Sequence, residues 1–361
     1  MAPRILIVKL SSLGDVLHTL PAARMLREAF PDAHLGWAVE RAHSGLLAGQ
    51  PCLDALHLWN RGASRGFRQF IGELRAGHWD VAIDFQGLLR SAWIARLSGA
   101  RQVIGHAPTK ERAHWLYHRR VPPATMERHA VDRSLDLAAA VVERLSGQTL
   151  SRPATRAEFT LYPSVADQHT VDAWWKAQNI RDRERLVLLN PHCRKDANRW
   201  PVERFTALAR NLTNQPGVRV ALVGGAVARD VCDAIAAPLG DRIARADGAM
   251  GLLASAELIR RADAFVTGDT GPMHIAAAVG TPIVALFGPA NPLRTGPYTD
   301  RAKVIYKKLS CSPCYARDRC PLGHAVPACM AEISVGEVQS AVMAALAESA
   351  TNPRDFLRRS A

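Results

Sequence analysis

The chain has 361 residues, of which 48% are hydrophobic and 22% charged, a composition that fits two globular domains and excludes disordered, collagen-like and membrane-embedded chains. Its 46 lysines and arginines exceed its 33 aspartates and glutamates, and the net charge of +13 is divided into +7 for residues 1–165 and +6 for residues 166–361. This balance suits an anionic partner, which would be a phosphorylated small molecule, an acidic membrane face or nucleic acid, with solubility alone as the alternative explanation.

In the first half of the chain, short apolar runs alternate with longer amphipathic stretches. Strands are predicted at residues 4–9, 34–39 and 79–84, and helices at residues 16–30 and 129–145. This alternation indicates βαβ units in a parallel sheet. The polar, proline-containing segment 146–163 then predicts the end of a first domain, residues 1–163.

The second half repeats the rhythm, with strands predicted at residues 186–190, 218–224, 264–267 and 283–287 and helices between them. We therefore predict two doubly wound, Rossmann-like α/β domains, the second spanning residues 164–361. Ligands of such sheets bind beyond the carboxyl ends of the strands, which makes the loops there the candidate binding loops. The sequence contains no G-x-G-x-x-G after the first strand and no G-x-x-x-x-G-K-[ST] motif, which argues against a dinucleotide dehydrogenase and a P-loop nucleotidase.

No export signal and no membrane span are predicted. Lys9 and Asp15 interrupt the apolar run at residues 5–8, so that run lacks the length of a signal-peptide core. The longest uncharged run, about residues 275–294, contains two glycines and three prolines, which a membrane-spanning helix would not tolerate. Seven cysteines, three of them isolated, fit a reducing compartment. We expect a cytoplasmic protein.

The first predicted strand is followed by Leu10-Ser-Ser-Leu-Gly-Asp15. Ser11 and Ser12 are candidate N-caps of the next helix, Gly14 permits close backbone approach, and Asp15 falls in the first turn. A carboxylate in that place can simply complement the helix dipole. It is also well placed as a general base for an acceptor hydroxyl, and the spacing leaves both roles open.

A second motif, Gly268-Asp-Thr-Gly-Pro-Met-His274, lies between a predicted strand and a predicted helix. The backbone N–H groups of Thr270 and Gly271, with the Thr270 hydroxyl, form a candidate anion cradle, and His274 lies one turn further on. Asp269 would repel a phosphate unless it contacts ribose or sugar hydroxyls, and its alternative role is that of an N-cap. The compact motif favours a phosphate site.

Four cysteines cluster near the C-terminus, beginning with a C-x2-C pair. Such a set can hold a structural zinc ion. Its spacing is irregular for a zinc ribbon, and reduced or locally paired thiols are the preferred alternative. The four are Cys311, Cys314, Cys320 and Cys329.

These motifs resemble those of the ADP-heptose:lipopolysaccharide heptosyltransferases, glycosyltransferase family 9, over nearly the whole chain. The N-terminal strings are most similar to the heptosyltransferase I branch. The strings that carry the resemblance are Ile-Val-Lys-Leu-Ser-Ser-Leu-Gly-Asp (7–15), Asp-Phe-Gln-Gly-Leu-Leu-Arg-Ser-Ala (84–92), Asn-Arg-Trp-Pro (198–201), Gly-Asp-Thr-Gly-Pro-Met-His (268–274) and Leu-Phe-Gly-Pro-Ala-Asn-Pro (286–292).

The resemblance implies a GT-B architecture: two facing Rossmann-like domains with a cleft between them, the acceptor on the first, ADP-heptose on the second, and the last helix packed back on the first. It implies inverting transfer of heptose to the Kdo region of the inner core, without metal or cofactor, with Asp15 as the base. An oxocarbenium-like transition state suits one carboxylate that activates the nucleophile and N–H groups or cations that stabilise the leaving diphosphate.

The resemblance also implies site residues. On the donor side, many relatives have a lysine where this chain has Asn198, and we assign its charge to Arg199 in preference to Lys195. The family's donor-binding positions otherwise match Asp269, Thr270, Gly271 and His274.

On the acceptor side, arginines suit the phosphates of lipid A and the carboxylates of Kdo, although each could equally be a solvated surface residue. Glu40 and Gln86 are candidates for sugar contacts, with core or capping roles as the alternative. The predicted acceptor-binding residues are Ser12, Gly14, Arg61, Arg65 and Arg120.

The implied partners are ADP-heptose, Kdo-lipid A or inner-core lipopolysaccharide, and the anionic inner leaflet, which a monomer would bind peripherally on the inner face of the inner membrane. One alternative is a transferase of the same fold that uses another nucleotide sugar or a protein acceptor. A remote alternative is a non-enzymatic nucleic-acid-binding protein. Aromatic residues make up only 6% of the chain and form no stripe with basic residues in the sequence, which argues against nucleic acid.

Overall fold

The computed structural model describes residues 2–62, 66–109, 111–123, 125, 127–147 and 159–351. The chain forms two compact units, Met1–Tyr162 and Pro163–Ala361, whose boundary lies one residue before the predicted one. Each unit is built on one six-stranded sheet. Within the described residues, no helix has both the length and the apolar character that crossing a bilayer requires.

In the first unit the strand order is β3-β2-β1-β4-β5-β6, and all pairings are parallel. The strands are β1 (Arg4–Val8), β2 (His34–Glu40), β3 (Ala55–Trp59), β4 (Val81–Asp84), β5 (Gln102–His106) and β6 (Arg119–Val121). The helices are α1 (Leu13–Ala29), α2 (Gly66–Ala76), α3 (Leu89–Leu97) and α4 (Ala130–Ser146).

Helices cover both faces of this first sheet. Side chains of α2 and α3 share a buried cluster with β1 and β4 on one face, and α1 packs against α4. The central strands are buried on both sides, which is why they are continuous apolar runs in the sequence. Gly36 of β2 leaves room for Trp79, since a Cβ at position 36 would lie 2.4 Å from the indole ring.

The second unit has the order β12-β11-β10-β7-β8-β9, again entirely parallel. Its strands are β7 (Arg185–Asn190), β8 (Val218–Leu222), β9 (Ile243–Arg245), β10 (Ala264–Gly268), β11 (Ile283–Phe287) and β12 (Ala302–Tyr306). Its helices are α5 (Val165–Ala177), α6 (Val202–Thr213), α7 (Arg229–Ala236), α8 (Leu252–Arg261), α9 (Gly271–Val279), α10 (Pro292–Thr295), α11 (Ala328–Ala331) and α12 (Val335–Thr351).

Both sheets have the same topology. Counted from its own first strand, each has the order 3-2-1-4-5-6 of a Rossmann fold, so the prediction of two doubly wound domains is confirmed. In such a sheet the strand order reverses between the first and fourth strands. These switch points lie between β1 and β4 in the first unit and between β7 and β10 in the second.

The last described helix belongs to the second unit. Helix α12 packs against α6, β10 and β11, and its apolar side chains Val338, Val342 and Leu346 are buried in that unit's core. This apolar face completes the second core, and the packing of the last helix on the first domain stays a prediction. Residues 352–361 lie outside the described residues.

Candidate active site

The residues singled out in the sequence follow the strands at the two switch points. In the first unit, Asp15 follows β1 and Gln86 follows β4; in the second, Asp269 follows β10, and Asn190, which sequence reasoning did not single out, ends β7. Doubly wound sheets bind their ligands at this place. Each unit therefore has one candidate site, described separately below.

Asp15 lies in the first turn of α1, whose N-cap is Ser12. The carboxylate Oδ2 accepts hydrogen bonds from the Ser12 backbone N–H at 3.0 Å and from the Ser12 hydroxyl at 2.7 Å. These are capping-box contacts, so Asp15 does have a structural role at the start of the helix, in addition to the dipole role that the sequence left open. Asp15 is also partly exposed, so its carboxylate remains accessible to a substrate, whereas Gly14 beside it is buried.

The loop after β4 holds the loop after β1. Gln86 Oε1 accepts hydrogen bonds from the N–H groups of Leu10 and Ser11 at 3.1 and 3.2 Å. In return, the buried Lys9 ammonium donates to the Phe85 carbonyl at 3.0 Å. Gln86 is thus an anchor of the Leu10–Ser11 segment. Sequence reasoning missed Lys9, because a lysine at a strand end does not reveal which way its side chain points.

Below Gln86 lies a fully buried carboxylate, that of Asp84, which ends β4 and is 1% exposed. Burial raises its pKa, while hydrogen bonds, that from Tyr117 foremost, act in the opposite direction. The carboxylate thereby fixes the conformation of the β4 loop. It accepts four hydrogen bonds, from the N–H groups of Gln86 at 2.9 Å and Gly87 at 3.1 Å and from the hydroxyls of Ser91 at 2.9 Å and Tyr117 at 2.7 Å.

In the second unit, Asn190 organises the predicted anion cradle. Its side-chain amide, which is buried, donates to the Thr267 hydroxyl at 2.9 Å and to the Thr270 hydroxyl at 3.1 Å. Thr270 is the N-cap of α9, which begins at Gly271. The first N–H groups of a helix have no partner within the helix and carry partial positive charge, so this end of α9 can bind an anion. His274 lies buried in the same helix.

Asp269 lies beside the cradle and faces two side chains from the loop after β7. Its Oδ2 accepts a hydrogen bond from the Asn198 amide at 3.3 Å and lies 3.9 Å from Lys195 Nζ. The positive charge of Lys195 therefore offsets a carboxylate that would otherwise repel a phosphate.

Arg199 makes different contacts. Its Nε donates to the Cys193 carbonyl at 3.0 Å, and its guanidinium pairs with Asp196 at 2.8 Å. The structure thus places Lys195, and not Arg199, at ion-pair distance from Asp269. The preference for Arg199 stays a prediction, with Lys195 now the better-placed cation.

The predicted acceptor arginines do not converge. Arg61 is exposed in the turn after β3, and Arg120 is exposed on β6, where its Nε donates to the His114 carbonyl at 3.0 Å. Because β3 and β6 are opposite edges of the sheet, these strands lie about 24 Å apart at the usual strand spacing. Arg61 and Arg120 therefore cannot hold one phosphate together. Arg65 lies outside the described residues.

The four clustered cysteines line one cavity of about 80 Å³ together with His324. All four are free thiols, and burial raises the pKa of Cys329. Among residues 159–351, as elsewhere in the described chain, no three metal-ligating side chains are close enough to hold an ion. The choice between reduced thiols and a structural zinc site stays a prediction.

Two doubly wound parallel sheets, with a carboxylate at one switch point and an anion cradle at the other, define the GT-B class of glycosyltransferases. The predicted fold class is thereby confirmed. Residues 67–325 match the family model of glycosyltransferase family 9 (heptosyltransferase), and the chain belongs to that family. It is therefore a glycosyltransferase.

Individual relatives agree with this assignment. The chain is 31% identical to lipopolysaccharide heptosyltransferase 1 of Pseudomonas aeruginosa PAO1 over 324 residues, which cover 86% of each protein. Its fold is similar to that of the Escherichia coli ADP-heptose lps heptosyltransferase II, with a TM-score of 0.78, 23% identity and coverage of 96% of this chain and 100% of that one. For E. coli heptosyltransferase WaaC with ADP, the TM-score is 0.72 at 24% identity, with coverage of 95% and 99%.

Proposed function

We propose that this glycosyltransferase transfers heptose from ADP-heptose to the Kdo region of inner-core lipopolysaccharide, with inversion at the anomeric carbon and without a metal or a cofactor. The observation that carries the proposal is the occurrence of a carboxylate and an anion cradle at equivalent switch points. The substrates are supported by the P. aeruginosa relative, named a lipopolysaccharide heptosyltransferase, and by the neighbours named for ADP-heptose and ADP.

In the proposed reaction, Asp15 accepts the proton of the acceptor hydroxyl. The acceptor oxygen forms a bond to the anomeric carbon as the bond between that carbon and the diphosphate oxygen breaks on the opposite face. The electron pair of the broken bond leaves with ADP. A base aligned with the nucleophile and a stabilised leaving group are what an oxocarbenium-like transition state requires.

The second unit stabilises the departing ADP in this proposal. The N–H groups at the start of α9 and the Lys195 ammonium face the charge that grows on the diphosphate, a role in which preorganised donors and cations are most effective. The Asp269 carboxylate, held by Asn198 and Lys195, is assigned to hydroxyl groups of the donor. Arg199, Thr270, Gly271 and His274 remain proposed donor-site residues, as Ser12, Gly14, Arg61 and Arg120 remain proposed acceptor-site residues.

The test is to incubate the protein with Kdo-lipid A and either ADP-heptose or other nucleotide sugars, and to weigh the products. We expect the mass of one heptose to be added from ADP-heptose alone, in the presence of a chelator as well as without it. Addition of another sugar at a comparable rate would contradict the proposal and favour the same-fold alternative. A monomeric, cytoplasmic enzyme that binds the membrane peripherally is part of the same proposal.

The choice between two cations predicts a difference between Lys195→Ala and Arg199→Ala. Lys195 lies beside Asp269, whereas Arg199 is paired with Asp196, so we expect Lys195→Ala to weaken ADP binding about tenfold and Arg199→Ala about twofold or less. Calorimetric titration with ADP measures both. The reverse ranking would restore Arg199 as the phosphate-binding residue.

A second prediction concerns the close packing below the cradle. A Cβ at Gly268 would lie 2.6 Å from Cys193 Sγ and 3.3 Å from the Asn198 carbonyl oxygen. Gly268→Ala is therefore expected to displace the loop after β7 and weaken ADP binding about tenfold or more. The double variant Gly268→Ala/Cys193→Ala removes the nearer contact and should recover most of that loss. Equal losses in the single and double variants would contradict this packing argument.

A further inference from the structure

An apolar and cationic surface lies on the first unit, outside the site at its switch point. Its side chains belong to α3, to the 3-10 turn Ala113–Leu116, to Arg112 just before this turn and to Arg120 of β6, which donates to the turn's His114 carbonyl. Apart from Arg120, none of them has a place in the proposed reaction. We call this region the α3 surface, and it consists of Leu89, Trp93, Arg96, Arg112, Trp115 and Arg120.

Two tryptophans dominate the α3 surface. Trp93 is 47% exposed and Trp115 is 65% exposed, and Leu89 beside them is 43% exposed. All eight tryptophans of the chain lie in the described residues, and the other six are buried or half-buried. Tryptophan has a large apolar area whose exposure to water is unfavourable, so two exposed indoles on one surface mark a site of interaction.

The apolar residues of the α3 surface are neighbours. The Leu89 N–H donates to the Glu111 carboxylate at 2.8 Å, which joins the start of α3 to the segment before the 3-10 turn. Trp93 follows Leu89 by one helical turn and lies on the same side of α3. Side chains of α3 and of the turn share one buried cluster, which holds the two segments together.

The α3 surface is also strongly cationic. Three of its six residues, Arg96, Arg112 and Arg120, are arginines and none is acidic. Residues 89–120 as a whole contain seven arginines and lysines and one acidic residue, and two of the seven pair with carboxylates elsewhere in the first unit. The Arg112 guanidinium lies 5.4 Å from the centre of the Trp115 ring. In the part of the chain that the structure describes, neither Arg112 nor Arg120 forms an ion pair with a carboxylate.

Helix α3 begins just after the carboxyl end of β4, which is the edge of the sheet that bears Gln86 and the Asp15 loop. A partner seated on the α3 surface would therefore lie next to the acceptor side of the proposed reaction. The position matters because the proposed acceptor is a lipid, whose acyl chains remain in a bilayer while its sugar reaches the enzyme.

We propose that the α3 surface docks this protein on an anionic lipid bilayer. The inference rests on the proposed function, which supplies a lipid-linked acceptor. Tryptophan rings favour the level of the lipid headgroups, and arginines near an anionic leaflet are attracted to its surface potential. A second copy of the chain is a poor occupant, because a symmetric contact would place the three arginines of one α3 surface against the three of the other.

The test is flotation of the full chain with vesicles that contain about 30% phosphatidylglycerol in phosphatidylcholine, and with pure phosphatidylcholine vesicles as reference. The variants are Trp93→Ser/Trp115→Ser and Arg112→Glu. Their matched controls are Val165→Ser, an apolar residue 64% exposed on α5, and Arg183→Glu, an exposed arginine of the second unit. Vesicles without acceptor are used, so that binding is measured independently of transfer.

We expect the wild type to bind the anionic vesicles, the tryptophan variant and Arg112→Glu to bind about tenfold more weakly, and both controls to bind as the wild type does. Transfer to a deacylated, water-soluble Kdo acceptor should stay within about twofold in the tryptophan variant, which shows that it folds, while transfer to vesicle-bound Kdo-lipid A falls about tenfold.

Unchanged vesicle binding in the tryptophan variant would overturn the inference. The inference would also be overturned if the wild type sedimented as a dimer and the tryptophan variant as a monomer. A variant that lost binding to duplex DNA but kept binding to vesicles would overturn it too, because either result would assign the surface to a different partner. A protein that floats with vesicles through this surface but transfers no heptose would contradict the proposed function and leave the docking inference standing.

Discussion

Asp15→Asn is expected to lower kcat for heptose transfer by about 100- to 10,000-fold, the usual contribution of a general base, while the dissociation constant for ADP changes less than about twofold. The amide has nearly the shape of the carboxylate and can still accept a hydrogen bond from the Ser12 N–H. It cannot take a proton from an acceptor hydroxyl. Initial-rate kinetics and calorimetric titration with ADP measure the two quantities separately.

The second unit provides a matched control for the capping role of Asp15. Asp167 in α5 accepts hydrogen bonds from the Ser164 N–H at 2.9 Å and from its hydroxyl at 2.6 Å, nearly the geometry of Ser12 and Asp15. Asp167→Asn therefore perturbs the same local structure away from the switch point. We expect it to cost about 1 kcal/mol of stability or less, as loss of a cap does, and to leave kcat unchanged.

If Asp15→Asn keeps kcat within tenfold of the wild type, Asp15 is a helix cap and another group is the base. If Asp15→Asn and Asp167→Asn both lower the unfolding temperature by the same amount but only the first abolishes transfer, the catalytic role is separated from the structural one. Ser12→Ala adds a further check, since it removes the cap without removing the carboxylate.

The sequence was sufficient to predict the central strands of both sheets, and the reason is physical. Strands β1, β4, β7, β10 and β11 are covered by helices on both faces, so nearly all their side chains are apolar and the runs stand out. The outer strands β3 and β12 are mostly half-buried and each apolar run is interrupted by a polar residue, while β6 has only three residues, two of them exposed arginines. None of these strands therefore stands out as a continuous apolar run.

The candidate sites divide in the same way. Asp15 and the Asp269–Gly271 motif could be predicted because the groups that define them are close together in the sequence and next to a strand end. The cation beside Asp269 could not be predicted, because Lys195 and Arg199 both lie in the loop after β7. Only the turn between them decides which one faces Asp269. The bond between Asp84 and Tyr117 spans 33 residues and leaves no local pattern.

Asp84→Ala is the substitution with the largest expected effect on stability, about 3 kcal/mol or more for the first unit. It removes the acceptor of four hydrogen bonds in a place that water does not reach, and each buried donor left without a partner costs about 1–3 kcal/mol. Urea unfolding followed by tryptophan fluorescence measures the loss. A cost below about 1 kcal/mol would show that water replaces the carboxylate.

Tyr117→Phe tests one of these bonds alone. The phenylalanine ring keeps the packing against Gly105, where a Cβ would lie 2.4 Å from the ring, and only the hydroxyl is lost. We expect a loss of about 1–3 kcal/mol, the cost of leaving a buried polar group without its partner, and clearly less than that of Asp84→Ala. Gln86→Ala, which frees the loop after β1 without touching Asp84, should instead lower kcat with little change in stability.

The pH dependence of stability tests the protonation of Asp84. Because burial raises the pKa of Asp84 in the folded protein above its ordinary value, the folded state holds this proton more tightly than the unfolded state. The corresponding stabilisation is complete below the ordinary aspartate pKa of about 4 and is lost as pH rises through the folded value. The free energy of unfolding of the wild type minus that of Asp84→Asn should therefore decline as the pH is raised from about 4.5 toward 8. A difference that grows with pH would mean that the four hydrogen bonds outweigh burial and keep the carboxylate ionised.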